Sequence, residues 1–196
     1  MNMYKTPFCY TALAVISLVS TAALSQTSTW KIDPVHSGIE FQIRHFGVSN
    51  VRGSFSKPTG TVRLDEKDIT KSSVEASIDA NTVSTRETKR DEHLKSPDFF
   101  DIQKNPTLTF RSTSLSSDGG KLQMVGDLTL GGVTKSVTLF VDGPSAPQKG
   151  SGGAIVSGLS ATGSLRRTDF NFGSKYGPPL LGDDIKFTID LEMTKQ

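Results

Sequence analysis

Ile39-Glu40-Phe41-Gln42-Ile43-Arg44 sets apolar side chains on one side of an extended chain and polar ones on the other. Strict alternation of this kind is the mark of a half-buried β-strand, because successive side chains of a strand point to opposite faces. The pattern returns at Val51, Gly53 and Phe55; at Val62 and Leu64; at Val74, Ala76, Ile78 and Ala80; and at Leu108 and Phe110. It continues through Leu122, Met124, Gly126, Leu128 and Leu130, then Val133, Lys135, Val137, Leu139 and Val141, and last Ile185, Phe187, Ile189 and Leu191. Breakers separate these runs at Pro58 to Gly60, Asp118 to Gly120, Gly131 to Gly132 and Gly143 to Gly153. About eight antiparallel strands are expected.

One stretch reads as helix, from about Thr85 to Lys95, with Thr85 as its cap and a charged face of Arg86, Glu87, Lys89, Arg90, Asp91 and Glu92. It stops before Ser96-Pro97 and is too polar for a core helix. With Leu94, Phe99, Phe100 and Ile102 close behind, it is expected to form a lid or plug beside the sheet. So little helix excludes a parallel βαβ arrangement, so the sheet must close on itself or pack on a second one. The fold class expected is all-β: a single extended antiparallel barrel with one short helical insertion. An eight-stranded barrel has room for its own side chains or for one small ligand. Phe41, Phe55, Phe110, Phe172 and Phe187 fall on inward positions, and alternation alone is served equally by a lined cavity and by a solid core.

The first residues carry Lys5 and then an uncharged run from Phe8 to Val19, followed by the small residues Ala22, Ala23 and Ser25. A run of that length is shorter than the ~20 residues that span a bilayer and has the layout of a cleavable secretory signal. Cleavage is expected after Ser25, leaving residues 26–196 as one domain in the periplasm with no membrane span. The single cysteine, Cys9, would leave with the signal. The mature chain then has neither a thiol nucleophile nor a disulfide framework, and packing alone must stabilise it. The formal net charge of +2 falls to +1 with the loss of Lys5, too weak a field to recruit nucleic acid.

The segment Arg90-Asp-Glu-His-Leu-Lys-Ser-Pro-Asp-Phe-Phe-Asp-Ile-Gln-Lys-Asn-Pro-Thr-Leu-Thr-Phe110 resembles the signature of the YceI family of polyisoprenoid-binding periplasmic proteins. Trp30-Lys-Ile-Asp-Pro-Val-His-Ser-Gly-Ile-Glu-Phe-Gln-Ile-Arg-His45 is similar to the family's first strands. Gly126-Asp-Leu-Thr-Leu-Gly-Gly-Val-Thr-Lys135 looks like its central hairpin, and Gly182-Asp-Asp-Ile-Lys-Phe-Thr-Ile-Asp-Leu-Glu192 like its last strand. The resemblance implies a lipocalin-like barrel with an apolar tunnel for an isoprenoid or fatty amphiphile, a polyprenyl quinone or its precursor being the expected type. Burial at ~0.8 kcal/mol per CH₂ holds such a tail without directional contacts. The tail contacts it implies are Phe41, Ile43, Phe55, Phe110, Leu128, Leu139, Phe172 and Phe187, with Leu94, Phe99 and Phe100 on the helical segment. Arg166-Arg167-Thr168-Asp169-Phe170-Asn171-Phe172-Gly173 resembles the family's penultimate loop but departs from it in continuing into Tyr176-Gly177-Pro178-Pro179-Leu180. Arg166 and Arg167 are most simply solvated charges, with contact to an anionic headgroup as their functional alternative.

Sharper chemistries find less support. His36 and His45 are separated by about 30 Å if the chain between them is extended, too far to share a metal; a hydrogen-bonding role for His36 beside Asp33 and Ser37 is the simpler reading. No Gly-x-Ser-x-Gly elbow occurs, and Gly158-Leu-Ser-Ala-Thr162 lacks the closing glycine. Gly150-Ser-Gly-Gly153 lacks the lysine and helix of a phosphate loop and reads as a hairpin loop. The expectation is a non-enzymatic carrier without cofactor or metal. The alternative is an envelope stress or interaction protein with a filled barrel and a protein partner. The edges and loops of a long barrel suit a homodimer, although no interface motif marks one.

Overall fold

The computed structural model describes Met1 and residues 26–196; the expected signal segment lies outside the described residues apart from Met1. The strands are β1 (Thr27–Ile32), β2 (Gly38–His45), β3 (Ser49–Ser56), β4 (Thr59–Asp65), β5 (Ser73–Asp79), β6 (Thr107–Asp118), β7 (Lys121–Leu130), β8 (Val133–Asp142), β9 (Gln148–Lys149), β10 (Ile155–Arg166) and β11 (Leu181–Lys195). One α-helix, α1 (Thr88–Lys95), interrupts the sequence between β5 and β6. Among the described residues no helix is long and apolar enough to cross a membrane.

Every pairing is antiparallel, and eight of the strands form a closed ring: β1, β4, β5, β6, β7, β8, β10 and β11, the last pairing back with β1. The long strand β11 is the spine. One of its edges pairs with β10 from Asp184 to Thr194, while the other is shared, Met193–Lys195 pairing with β1 and Leu181–Asp190 with β2. The hairpin of β2 and β3 thus extends the barrel above β1 and β4. The eight alternating runs of the sequence fall on β2, β3, β4, β5, β6, β7, β8 and β11; β1 and β10, which complete the ring, are not among them, and the hairpin of β2 and β3 lies outside it.

Inside, two solid clusters face each other along the axis. Trp30, Ile32, Val62, Met124, Ala161 and Met193 are among those that close one end. Ile39, Phe55, Val83, Phe100, Leu108, Phe170 and Phe172 are among those that close the other, beneath α1 and the loop after β10. Trp30 is 2% exposed, and its indole N–H donates to the Ser28 hydroxyl at 2.9 Å, satisfying its one polar group inside apolar surroundings.

The helix begins three residues later than the sequence suggests. Glu87 caps it by accepting from the Lys89 N–H at 3.3 Å, and Arg86 just before has a left-handed backbone with φ of 63°. Thr85 is drawn into another network. Its N–H and hydroxyl donate to Asp91 at 2.7 and 2.5 Å, and its hydroxyl and carbonyl accept from Arg90. Thr85 therefore anchors the helix sideways instead of capping it.

Candidate functional site: an apolar tunnel and its clasp

Three inward phenylalanines lie against glycines of a neighbouring strand. Phe41 pairs with Gly53 and Phe187 with Gly163 in register, while Phe110 lies diagonally across from Gly126. A Cβ added at any of these glycines would overlap the ring: at Gly163 it would stand 2.6 Å from the Phe187 ring edge. Only glycine lets a ring lie flat on the barrel wall here. A ring held on the wall leaves the axis open.

What remains open is a void of about 160 Å³ between the two clusters, lined entirely by apolar residues. Phe41, Phe55, Phe100, Phe110, Phe172 and Phe187 supply aromatic wall, and Leu94 reaches it from α1. Leu128, Leu139, Ile78, Leu165, Ile185, Ile189 and Leu191 supply much of the aliphatic wall. An engineered apolar cavity of roughly 150 Å³ stays dry and admits benzene. The preformed space is therefore of that order, and a longer chain must enter by displacing adaptable side chains such as Met124.

Of the residues singled out from the sequence, Phe41, Phe55, Leu94, Phe100, Phe110, Leu128, Leu139, Phe172 and Phe187 are brought together on this lining. Ile43 and Phe99 are not. Ile43 sits beyond the tunnel where β2 pairs with Val51 and Ile185. Phe99 instead stacks on Tyr176 with ring centres 5.4 Å apart and meets Phe172 edge-on at 5.2 Å.

That stacking belongs to a clasp over the helix end of the barrel. The Tyr176 hydroxyl donates to Asp98 at 3.0 Å and lies 3.1 Å from the His93 Nε2, while the Lys175 ammonium bonds the other Asp98 oxygen at 2.6 Å. The hydrogen bonds from Lys175 first and Tyr176 next hold the Asp98 carboxyl below the usual aspartate range. The loop between β10 and β11 is thereby fastened to α1 and the turn after it.

Of the two arginines, Arg166 is an exposed charge and Arg167 requires correction. Arg167 is neither solvated nor available to a headgroup: it is 1% exposed, and its guanidinium donates to the carbonyls of Gly182, Phe172, Gly173, Tyr176 and Leu181. Five donors meet five acceptors, and burial pushes its pKa down. Its job is to shape the loop that covers the barrel. Parity held the signal, since Ala161, Gly163, Leu165 and Arg167 share one side of the strand. Arg166 is on the opposite side, paired with Asp183 at 2.8 Å, and neither arginine lines the tunnel.

His36 is held by polar neighbours, while His45 lies edge-on to the Phe46 ring. His36 Nδ1 lies 2.8 Å from Asp33 and 3.6 Å from Glu192, contacts that push its pKa up, chiefly through the Asp33 hydrogen bond. Ser37 accepts from the Glu192 N–H at 2.9 Å, so the turn from Asp33 to Ser37 is tied to β11. Asp33, His36 and Glu192 each offer a ligand-type atom within 4.8 Å of the others; the His36–Asp33 hydrogen bond accounts for the closest of these approaches.

Comparison with known proteins places this geometry. Residues 30–193 match the model of the YceI-like domain. A UPF0312 protein of Pectobacterium atrosepticum is 35% identical over 191 residues, covering 94% of this chain and 96% of its own. Protein YceI of Escherichia coli O6:H1 is 36% identical over 190 residues with the same coverage. Among solved structures, the YceI protein of Campylobacter jejuni is similar with a TM-score of 0.69 and 30% identity over 76% of this chain and 87% of its own. A polyisoprenoid binding domain from Saccharophagus degradans shares the fold, with a TM-score of 0.61 at 13% identity, covering 85% of this chain and 98% of its own.

Proposed function

This chain belongs to the YceI-like family, and from that premise we propose that it is a non-enzymatic binding protein that carries the tail of an isoprenoid or similar long-chain amphiphile in its apolar tunnel. The observation that carries this reading is the row of phenylalanines laid on glycines, which keeps a wholly apolar space open inside a barrel that could have been filled. A polyprenyl quinone or its precursor is the ligand type proposed, its tail entering as adaptable side chains such as Met124 give way. Nothing along it offers a hydrogen bond, so length and girth select the ligand. The name of the Saccharophagus degradans domain agrees with the reading. The family resemblance and the apolar run from Phe8 to Val19 favour a periplasmic site of action after cleavage behind Ser25.

Extraction of the purified protein with organic solvent, followed by mass spectrometry, tests the proposal. A stoichiometric prenyl or fatty amphiphile is expected from the wild type, and none from a protein with Phe41 and Phe110 both replaced by Asp. A clean wild-type extract, together with no uptake of added polyprenyl quinone, would overturn it. The filled-barrel alternative would then stand.

A further inference from the structure

The turn between β2 and β3 puts a phenylalanine where a hairpin ordinarily has asparagine. His45-Phe46-Gly47-Val48 closes with the Val48 N–H donating to the His45 carbonyl at 3.1 Å, and both central residues are left-handed, Phe46 with φ of 49° and Gly47 with 71°. A β-turn with two left-handed central residues favours Asn-Gly there; a bulky residue at positive φ is strained. The strain gains no burial, since Phe46 is 53% exposed and Val48 80% exposed. Leu180, whose carbonyl accepts from the Phe46 N–H at 3.1 Å, adds a third exposed apolar side chain next to exposed Pro178 and Pro179.

Two further observations say what meets this tip. From Phe41 to Leu64 the chain has no carboxylate, and Arg44 and Arg52 flank the tip on its exposed sides; of the nearest acids, Asp183 is bonded to Arg166 and Asp184 is its register partner. The tip also continues the tunnel. Ile39 and Phe41 line the bore, Ile43 follows one step out, and the turn that carries Phe46 begins where β2 ends at His45.

We propose that Phe46, Val48 and Leu180 form a lipid-docking tip that inserts into an anionic bilayer surface and seats the tunnel's helix end against the membrane. Apolar side chains at a rigid turn enter the acyl boundary while the arginines meet lipid phosphates. The docking sets the helix end of the barrel, with its cluster and clasp, against the bilayer that holds the amphiphile. Its purpose rests on the carrier reading, but its test does not: failure to bind vesicles leaves the extract unchanged, and a clean extract leaves vesicle binding unchanged.

The experiment uses the chain from Gln26 onward, which holds the whole ring, with vesicles of phosphatidylethanolamine and phosphatidylglycerol. Co-sedimentation is expected, weaker on pure phosphatidylcholine, and reduced roughly tenfold or more in a variant with Phe46→Asn and Val48→Ser. Phe46→Asn alone should raise the melting temperature, because asparagine suits the turn, while lowering vesicle binding; a structural role for the ring would lower both. Wild-type protein that stays in the supernatant, or a double variant that sediments like the wild type, would overturn the proposal. So would tip variants that only convert a dimer to a monomer, since the tip's occupant would then be a second copy.

Discussion

Each of Phe41, Phe110 and Phe187 needs a neighbour without a side chain, and this couples positions on different strands. Gly163 is the cleanest place to test the coupling, because the closest atoms around its missing Cβ belong to the side chains of Phe187 and Leu139. Gly163→Ala is expected to push the Phe187 ring into the bore, costing about 1–3 kcal/mol of stability and lowering the amount of extractable amphiphile. Urea denaturation and solvent extraction measure the two. A variant as stable and as loaded as the wild type would show that the ring has room elsewhere. The inward residues themselves were legible, since period two assigned Phe41, Phe110, Leu128, Leu139 and Phe187 to one side. What alternation could not tell is whether a ring stands in the bore or lies on its wall. That depends on which glycine is across the ladder, and pairing partners far apart in sequence have no period.

At the level of elements, α1 and the loop after β10 act together through Asp98. A carboxyl whose pKa is depressed in the folded state adds stability above its unfolded value, near 3.9, and loses it as pH falls through the depressed one. The clasp should therefore be unchanged from pH 7 to pH 5 and loosen only below about pH 4. Hydrogen exchange of residues 93–102 and 173–180, corrected for intrinsic rates, should be flat in the first range and rise in the second. Asp98→Asn should exchange faster throughout and lose the acid step; a wild-type clasp that loosens between pH 5 and 7 would show that Asp98 is not its controlling group. The polar helix and its nearness to Phe99 and Phe100 could be read from composition. Its start could not, because Thr85 has a good cap side chain that Asp91 and Arg90 engage first. A propensity cannot register such a competition.

For the whole molecule, the closed ring depends on strands from opposite ends of the described chain, with Trp30 of β1 level with Lys195 of β11. Trp30 belongs to the solid cluster and does not line the bore. Trp30→Ala should thus cost about 3–5 kcal/mol in urea denaturation while the folded fraction keeps its amphiphile; loss of the ligand from folded protein would place the bore's end lower than described. Eight strands were readable because each apolar run carries its own alternation, although these included β2 and β3 outside the ring and missed β1 and β10 within it. The shared edge of β11, where β1 and β2 sit end to end, was not, since nothing local marks two strands as neighbours of the same third. The wall that results has a fixed backbone and a bore gauged by three ring and glycine pairs. A change of ligand girth then requires no new strand and no altered loop. Exchanging one phenylalanine and glycine pair for two medium-sized residues keeps the wall's mass while reshaping its inner surface, so relatives of one scaffold could diversify their cargo by compensated double substitutions, with single ones selected against.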